Sequence, residues 1–165
     1  MNVGILTISD RGASGTYEDR SGPLIAEIIS GHTSWSITHQ AVIPDDLDTI
    51  VATLTNWCGD DVHLILTSGG TGFAPRDVTP EATRRVIERE APGIAEALRA
   101  ESLKITRHAM LSRAVAGIRG RTLIINLPGN PKAVRENLQV LLPVLPHALA
   151  LITGAPGTES QHRLV

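Results

Sequence analysis

Aromatic side chains are almost missing from this chain, whose 165 residues include one Phe, one Tyr and two Trp. Unstacked bases would find little to lie on, so a single-strand nucleic-acid binder has no platform. Positive charge is not concentrated either. No basic block occurs, the formal net charge is −2 and the pI is near 6.3. Nothing therefore draws the chain to nucleic acid or to an anionic membrane. Cysteine occurs once, at Cys58. An intramolecular disulfide is excluded, and the thiol reads as a small, partly buried group near a helix end. No apolar run approaches the ~20 residues that a membrane helix needs. Met1 leads directly into "NVGILTIS", too short for the apolar stretch of a secretory signal and without a basic segment, so a cytoplasmic protein is expected.

Familiar motifs are absent too. The histidines His32, His39, His63, His108, His147 and His162 show no i, i+4 pairing and no cysteine companions, so a zinc site is not expected. No G-x-S-x-G elbow supports a serine hydrolase. No G-x-x-x-x-G-K-[ST] loop occurs. Gly70-Thr71-Gly72 is followed by Phe73-Ala74-Pro75 instead of a third glycine two residues on, which sets it apart from the dinucleotide fingerprint.

What is present is an ordinary globular composition, 42% hydrophobic and 19% charged. The length suits one domain that buries ~70% of its unfolded surface. "VGILTIS" reads as a buried strand, and Leu24, Ile25, Ile28 and Ile29 mark one face of a helix between Asp19 and Gly31. "WSITHQAVIP" reads as a second strand, followed by a helix starting at Asp45 and Asp46 with Leu47, Ile50, Val51 and Leu54 at helical spacing. "DVHLILT" gives a third strand. Helices are expected over Pro80–Glu90 and from Pro92 to about Leu103, each with proline in its first turn. "AVAGIRGRTLIINLPG" reads as two short strands with the bend near Gly117 or Gly120. A last long helix is capped by Asn130 and opened by Pro131, and Pro143 and Pro146 should bend or split it. Strands alternating with helices imply a three-layer α/β domain with a mainly parallel sheet and right-handed crossovers. Residues 1–154 are assigned to that domain and 155–165 to a loose tail.

In an open parallel sheet, ligands sit beyond the carboxyl ends of the strands. The residues there are Ser9, Asp10 and Arg11, then Asp45 and Asp46, then Ser68-Gly69-Gly70-Thr71-Gly72 with Asp77 further on, and finally Leu127-Pro128-Gly129-Asn130. Successive amides of a glycine-rich turn form an anion nest, and a following helix N-terminus adds partial positive charge. An acidic group beside such a nest suits a divalent cation that bridges it to phosphate. Asp77 alone could also assist the next helix cap or pair with Arg76, and Asp45 and Asp46 could be simple helix-start acids. Asn130 could be an ordinary cap, and Ser112 is uninformative by pattern. Their joint placement on one rim points to a phosphorylated ligand with Mg²⁺.

"TISDR", "TSGGTGFAPRDVTPEA", "LSRAVAGIRG" and "LIINLPGNPKAV" resemble the MogA/MoaB family of molybdenum-cofactor biosynthesis proteins, which includes the gephyrin G domain. The resemblance runs from Val3 to about Gly154. It implies a homotrimeric molybdopterin adenylyltransferase that joins ATP and molybdopterin with Mg²⁺ and releases pyrophosphate. It implies hand-off to a MoeA-type partner that inserts molybdate. Asp45 and Asp77 match the family's functional aspartates and are expected to handle metal and phosphate, with Asp46 a competitor to Asp45. Gly69, Gly70, Thr71 and Gly72 would line the nucleotide region. Ser112 and Asn126 match polar positions around the pterin ligand, and Asp19 to Gly22, "DRSG", would border the site. Two alternatives stand beside this reading: a non-catalytic molybdopterin-binding protein of the MoaB type, and a CinA-like pyrophosphate hydrolase.

Overall fold

The computed structural model describes residues 1–155; apart from Ala155, the expected tail lies outside them. Six strands form one sheet: β1 (Asn2–Ile8), β2 (Ser36–Ile43), β3 (Leu64–Ser68), β4 (Arg89–Glu90), β5 (Ala116–Arg119) and β6 (Thr122–Leu127). Their order is β2-β1-β3-β6-β5-β4. β2, β1, β3 and β6 run parallel, and β5 and β4 add an antiparallel edge. The parallel strands therefore end together at Ile43, Ile8, Ser68 and Leu127, which makes the rim inferred from the sequence a physical edge.

Alternation along the strands feeds two cores. Val3, Ile5, Leu64, Leu66, Leu123 and Ile125 face one side. There they pack against α2 (Ser21–His32), α5 (Pro92–Leu103), α6 (Pro131–Leu141) and α7 (Leu145–Thr153). Leu6, Ile8, Ile65 and Ile124 face the other, against α3 (Leu47–Gly59) and α4 (Thr79–Val86). Burying each of these large aliphatic side chains contributes about 1.5–3 kcal/mol. The predicted three-layer α/β arrangement is the one observed.

Several boundaries differ from expectation. The helix expected over Pro80–Glu90 stops at Val86. The next residues pair with β5 instead: Glu88 N donates to Ile118 O at 2.8 Å and Ala91 N to Ala116 O at 2.8 Å. Gly117 permits this crossing, since a Cβ there would lie 2.5 Å from Ile87 Cδ1. The β5–β6 bend is therefore at Gly120, which has φ +53°. The last helix divides into α6 and α7, which meet at 65°; Pro146 lies in the first turn of α7. Two short pieces were not expected, α1 (Asp10–Ala13) and a 3₁₀ turn at Arg107–Leu111. No single helix among the described residues is long and apolar enough to cross a membrane.

Candidate active site

The glycine loop begins where β3 ends and is packed too tightly for side chains. Gly69 has φ +104°, and a Cβ on it would lie 2.2 Å from Ile8 O. Gly70 has φ +62°, and its Cβ would come within 2.3 Å of Thr79 Oγ1 and 3.0 Å of Asp45 Oδ1. A Cβ on Gly72 would stand 2.9 Å from Asp77 Oδ2. The two aspartates singled out in the sequence thus flank one four-residue stretch of backbone. Thr79 fastens the loop from below, with Oγ1 donating to Gly69 O at 2.9 Å and N to Gly70 O at 3.1 Å.

Asp45 and Asp46 do different things. Asp46 caps α3, its Oδ1 accepting from Thr49 N at 2.9 Å and from the Thr49 hydroxyl. Asp45 turns to the rim. Its Oδ2 accepts from Asp10 N at 2.8 Å, while Asp10 Oδ1 accepts from Asp45 N at 3.0 Å. Arg76 does not pair with Asp77. Its Nε and Nη2 fork onto Asp10 Oδ2 and Oδ1 at 2.9 and 2.7 Å. The electrostatics follow. The Arg76 hydrogen bonds hold Asp10 below its ordinary pKa. Burial pushes Asp45 up, and the charges of Asp10 and Asp77 add to this against the pull of the Asp10 N–H. Asp77 Oδ2 accepts from Ala74 N at 2.8 Å; the carboxylate makes no cap bond to α4.

Two cavities open on either side of the loop. One, about 350 Å³, is bordered by Ser9, Asp19, Ser68, Gly69, Gly129 and Asn130. The other, about 260 Å³ and more apolar, is bordered by Thr71, Gly72, Ser112 and Pro128, with Leu98 and Ala109 behind them. Many polar groups here also brace the rim. Ser68 Oγ donates to Pro128 O at 2.9 Å and Ser21 Oγ to Gly129 O at 2.9 Å. Asp19 accepts from the amides of Ser21 and Gly22 and from Thr7 Oγ1. Ser9 and Asn130 cap α1 and α6.

Asn126 stands apart from the other expected site residues. It is 1% exposed, and its amide is spent inside the protein. Oδ1 accepts from Val115 N at 3.2 Å, and Nδ2 donates to Thr67 Oγ1 and Thr83 Oγ1 at 3.0 and 2.9 Å. Its side chain lines neither cavity.

Sequence reasoning placed Arg11 on the rim and Arg20 within the bordering "DRSG" but gave neither a role; it passed over Tyr17, which borders the larger cavity with them, and Arg113 beneath the loop. Arg11 and Arg20 bracket the Gly/Ser-containing "GASGTYED", and basic residues at both ends of such a stretch were a usable signal. Arg113 gave none.

The donors bear on whether a divalent cation fits. No cluster of three or more His, Cys, Asp or Glu among the described residues is arranged to hold a metal by itself. Mg²⁺, however, is commonly bound through one or two carboxylates plus substrate phosphates and waters. Asp45 and Asp77 are hard oxygen donors flanking one loop; burial first, and the charges of Asp10 and Asp77 second, raise Asp45, and a cation there would favour its charged form. The residues fit.

Residues 4–147 match the family model described as "Probable molybdopterin binding domain". The chain belongs to this family. Within the molybdopterin-binding-domain family, the chain is 43% identical to a Helicobacter pylori protein named molybdopterin adenylyltransferase, covering 93% of this chain and 89% of that one. It is 49% identical over 163 residues to Dictyostelium discoideum gephyrin, covering 93% of this chain and 23% of gephyrin. The solved structure of the molybdopterin biosynthesis enzyme MoaB from Thermus thermophilus matches with a TM-score of 0.88 at 51% identity, covering 94% of this chain and 98% of that one.

Proposed function

We propose that this chain is a molybdopterin adenylyltransferase of molybdenum-cofactor biosynthesis, transferring AMP from ATP to the terminal phosphate of molybdopterin with release of pyrophosphate. The observation that carries this reading is the flanking of the Gly69–Gly72 backbone by Asp45 and Asp77. The near full-length similarity to adenylyltransferases supports it.

In the reaction, a phosphate oxygen of molybdopterin attacks the α-phosphorus of ATP. A new P–O bond forms as the bond to the β-phosphoryl oxygen breaks and pyrophosphate leaves. Both reactants are anions, so positioning and charge stabilisation are the main tasks of the protein. The glycine loop brings backbone amides close to phosphate with no side chain in the way. Asp45 and Asp77 would hold Mg²⁺, which when bound neutralises phosphate charge. The larger cavity, with Arg11 and Arg20 on its border, suits an anionic polar ligand; the smaller apolar one suits a flat ring system. No activated nucleophile is needed, because the substrate supplies the attacking oxygen. We further propose a homotrimer acting in the cytoplasm that passes its product to a MoeA-type partner.

Asp77→Asn tests the reading. Turnover should fall by roughly 100-fold or more, the range seen when one charge-stabilising group is removed, while molybdopterin binding persists. Near-normal turnover would discard the metal role of Asp77. A wild-type protein that consumes ADP-ribose without any pterin would instead favour the hydrolase.

A further inference from the structure

Arg113 holds the glycine loop from beneath with one residue's worth of donors. Its backbone N donates to Thr71 O at 2.9 Å and its Nε to Gly72 O at 2.7 Å. Its Nη2 donates to Asp77 O and its Nη1 to Glu81 Oε1. Three carbonyls of the Thr71–Asp77 segment thus converge on a residue about forty positions away in sequence. Burial pushes Glu81 up, yet the Arg113 hydrogen bond and charge outweigh it and hold the carboxyl below its ordinary pKa. Glu81 Oε2 is buried without a partner, while the Arg113 and Glu81 side chains as a whole are half-buried.

Peptide planarity gives the clasp a directional consequence. In a trans peptide the C=O and the N–H of the next residue point to opposite sides. Carbonyls of Thr71, Gly72 and Asp77 that turn to Arg113 therefore send the N–H groups of Gly72, Phe73 and Val78 the other way. Among the described residues, none of those three amides donates to another protein group. Free amides in series are the substance of an anion nest.

We propose that Arg113 is a positioning residue of the site: by binding the carbonyl edge of the loop, it aims the amides of Gly72 and Phe73 at a phosphoryl group and fixes the backbone that carries Asp77. Its catalytic consequence rests on the adenylyl-transfer reading; its structural and binding consequences do not. A guanidinium is required, because its planar fork spans several acceptors at once whereas an ammonium is a point charge.

The experiment compares wild type, Arg113→Lys and Arg113→Ala by circular dichroism, amide hydrogen exchange, calorimetric titration with inorganic pyrophosphate and Mg²⁺, and adenylylation kinetics. The expected result is a folded Arg113→Lys with faster exchange confined to residues 70–78. Pyrophosphate should bind it roughly 10- to 100-fold more weakly, the range set by one or two hydrogen bonds to a charged group. KM for ATP should rise and kcat fall, with KM for molybdopterin little changed. Guanidinium ion should partly restore turnover to Arg113→Ala, and if that variant fails to fold, Arg113→Lys alone decides. Unchanged exchange over 70–78 together with unchanged pyrophosphate affinity in Arg113→Lys would overturn the proposal. A wild-type chain that binds pyrophosphate but forms no adenylylated product would refute the transferase reading, while exchange and pyrophosphate affinity would still judge Arg113.

Discussion

Asp10 and Asp45 exchange hydrogen bonds across the rim, yet their carboxyls are driven in opposite directions. Arg76 satisfies Asp10 with two charge-assisted bonds, while Asp45 is left with burial and two acidic neighbours. Because Asp45 is raised, the folded chain holds its proton more tightly than the unfolded chain does. Its contribution to stability therefore falls as pH rises from the ordinary value of 3.8 through the raised one. Asp10 and Asp46 act the other way, contributing above 3.8 and losing that contribution as pH falls through their lowered values. Asp45→Asn should accordingly melt at a higher temperature than the parent at neutral pH, with the gain gone below 3.8, while turnover is lost. Thermal scans over a pH series check this, and a lower midpoint at neutral pH would contradict it. Such opposition between stability and activity is common where a site concentrates like charge.

At the scale of elements, Asn126 ties β6 to Val115, Thr67 and Thr83, and so anchors the segment that presents Arg113. Asn126→Ala strips a buried amide of its acceptor, and should cost about 1–3 kcal/mol in urea unfolding. Gly69→Ala should be worse, since its Cβ would overlap Ile8 O; loss of soluble folded protein on expression is the expected result. Much of this level was legible in advance. Apolar alternation and helical spacing marked the parallel strands and the long helices, because burial imposes those periods directly. Two-residue β4, four-residue α1 and the 3₁₀ turn are too short to carry a period. The rim itself could be read from which residues follow each strand. Side-chain destinations could not. Arg76 looked like a partner for adjacent Asp77 but reaches Asp10, 66 residues away, and Asn126 looked like a ligand group but closes a buried network. Only the folded topology brings such pairs together.

The whole molecule keeps several large apolar side chains in solvent, including Phe73 and Met110 at 67% exposure each and Ile105 at 54%. Such groups exposed singly are ordinary on a protein surface, so the proposed homotrimer is judged by its mass. Sedimentation at micromolar concentration should report a species of three times the 17.6 kDa chain mass; a monomer would refute it. The fold places four parallel strand ends, one glycine loop and two aspartates on a single rim with a cavity on each side. We propose that rim as an adenylyl-transfer site. Incubation of the purified chain with molybdopterin, ATP and Mg²⁺, followed by mass spectrometry, tests it directly. Adenylyl-molybdopterin and pyrophosphate in equal amounts are predicted; molybdopterin bound tightly but recovered unmodified, with ATP intact, would contradict the account.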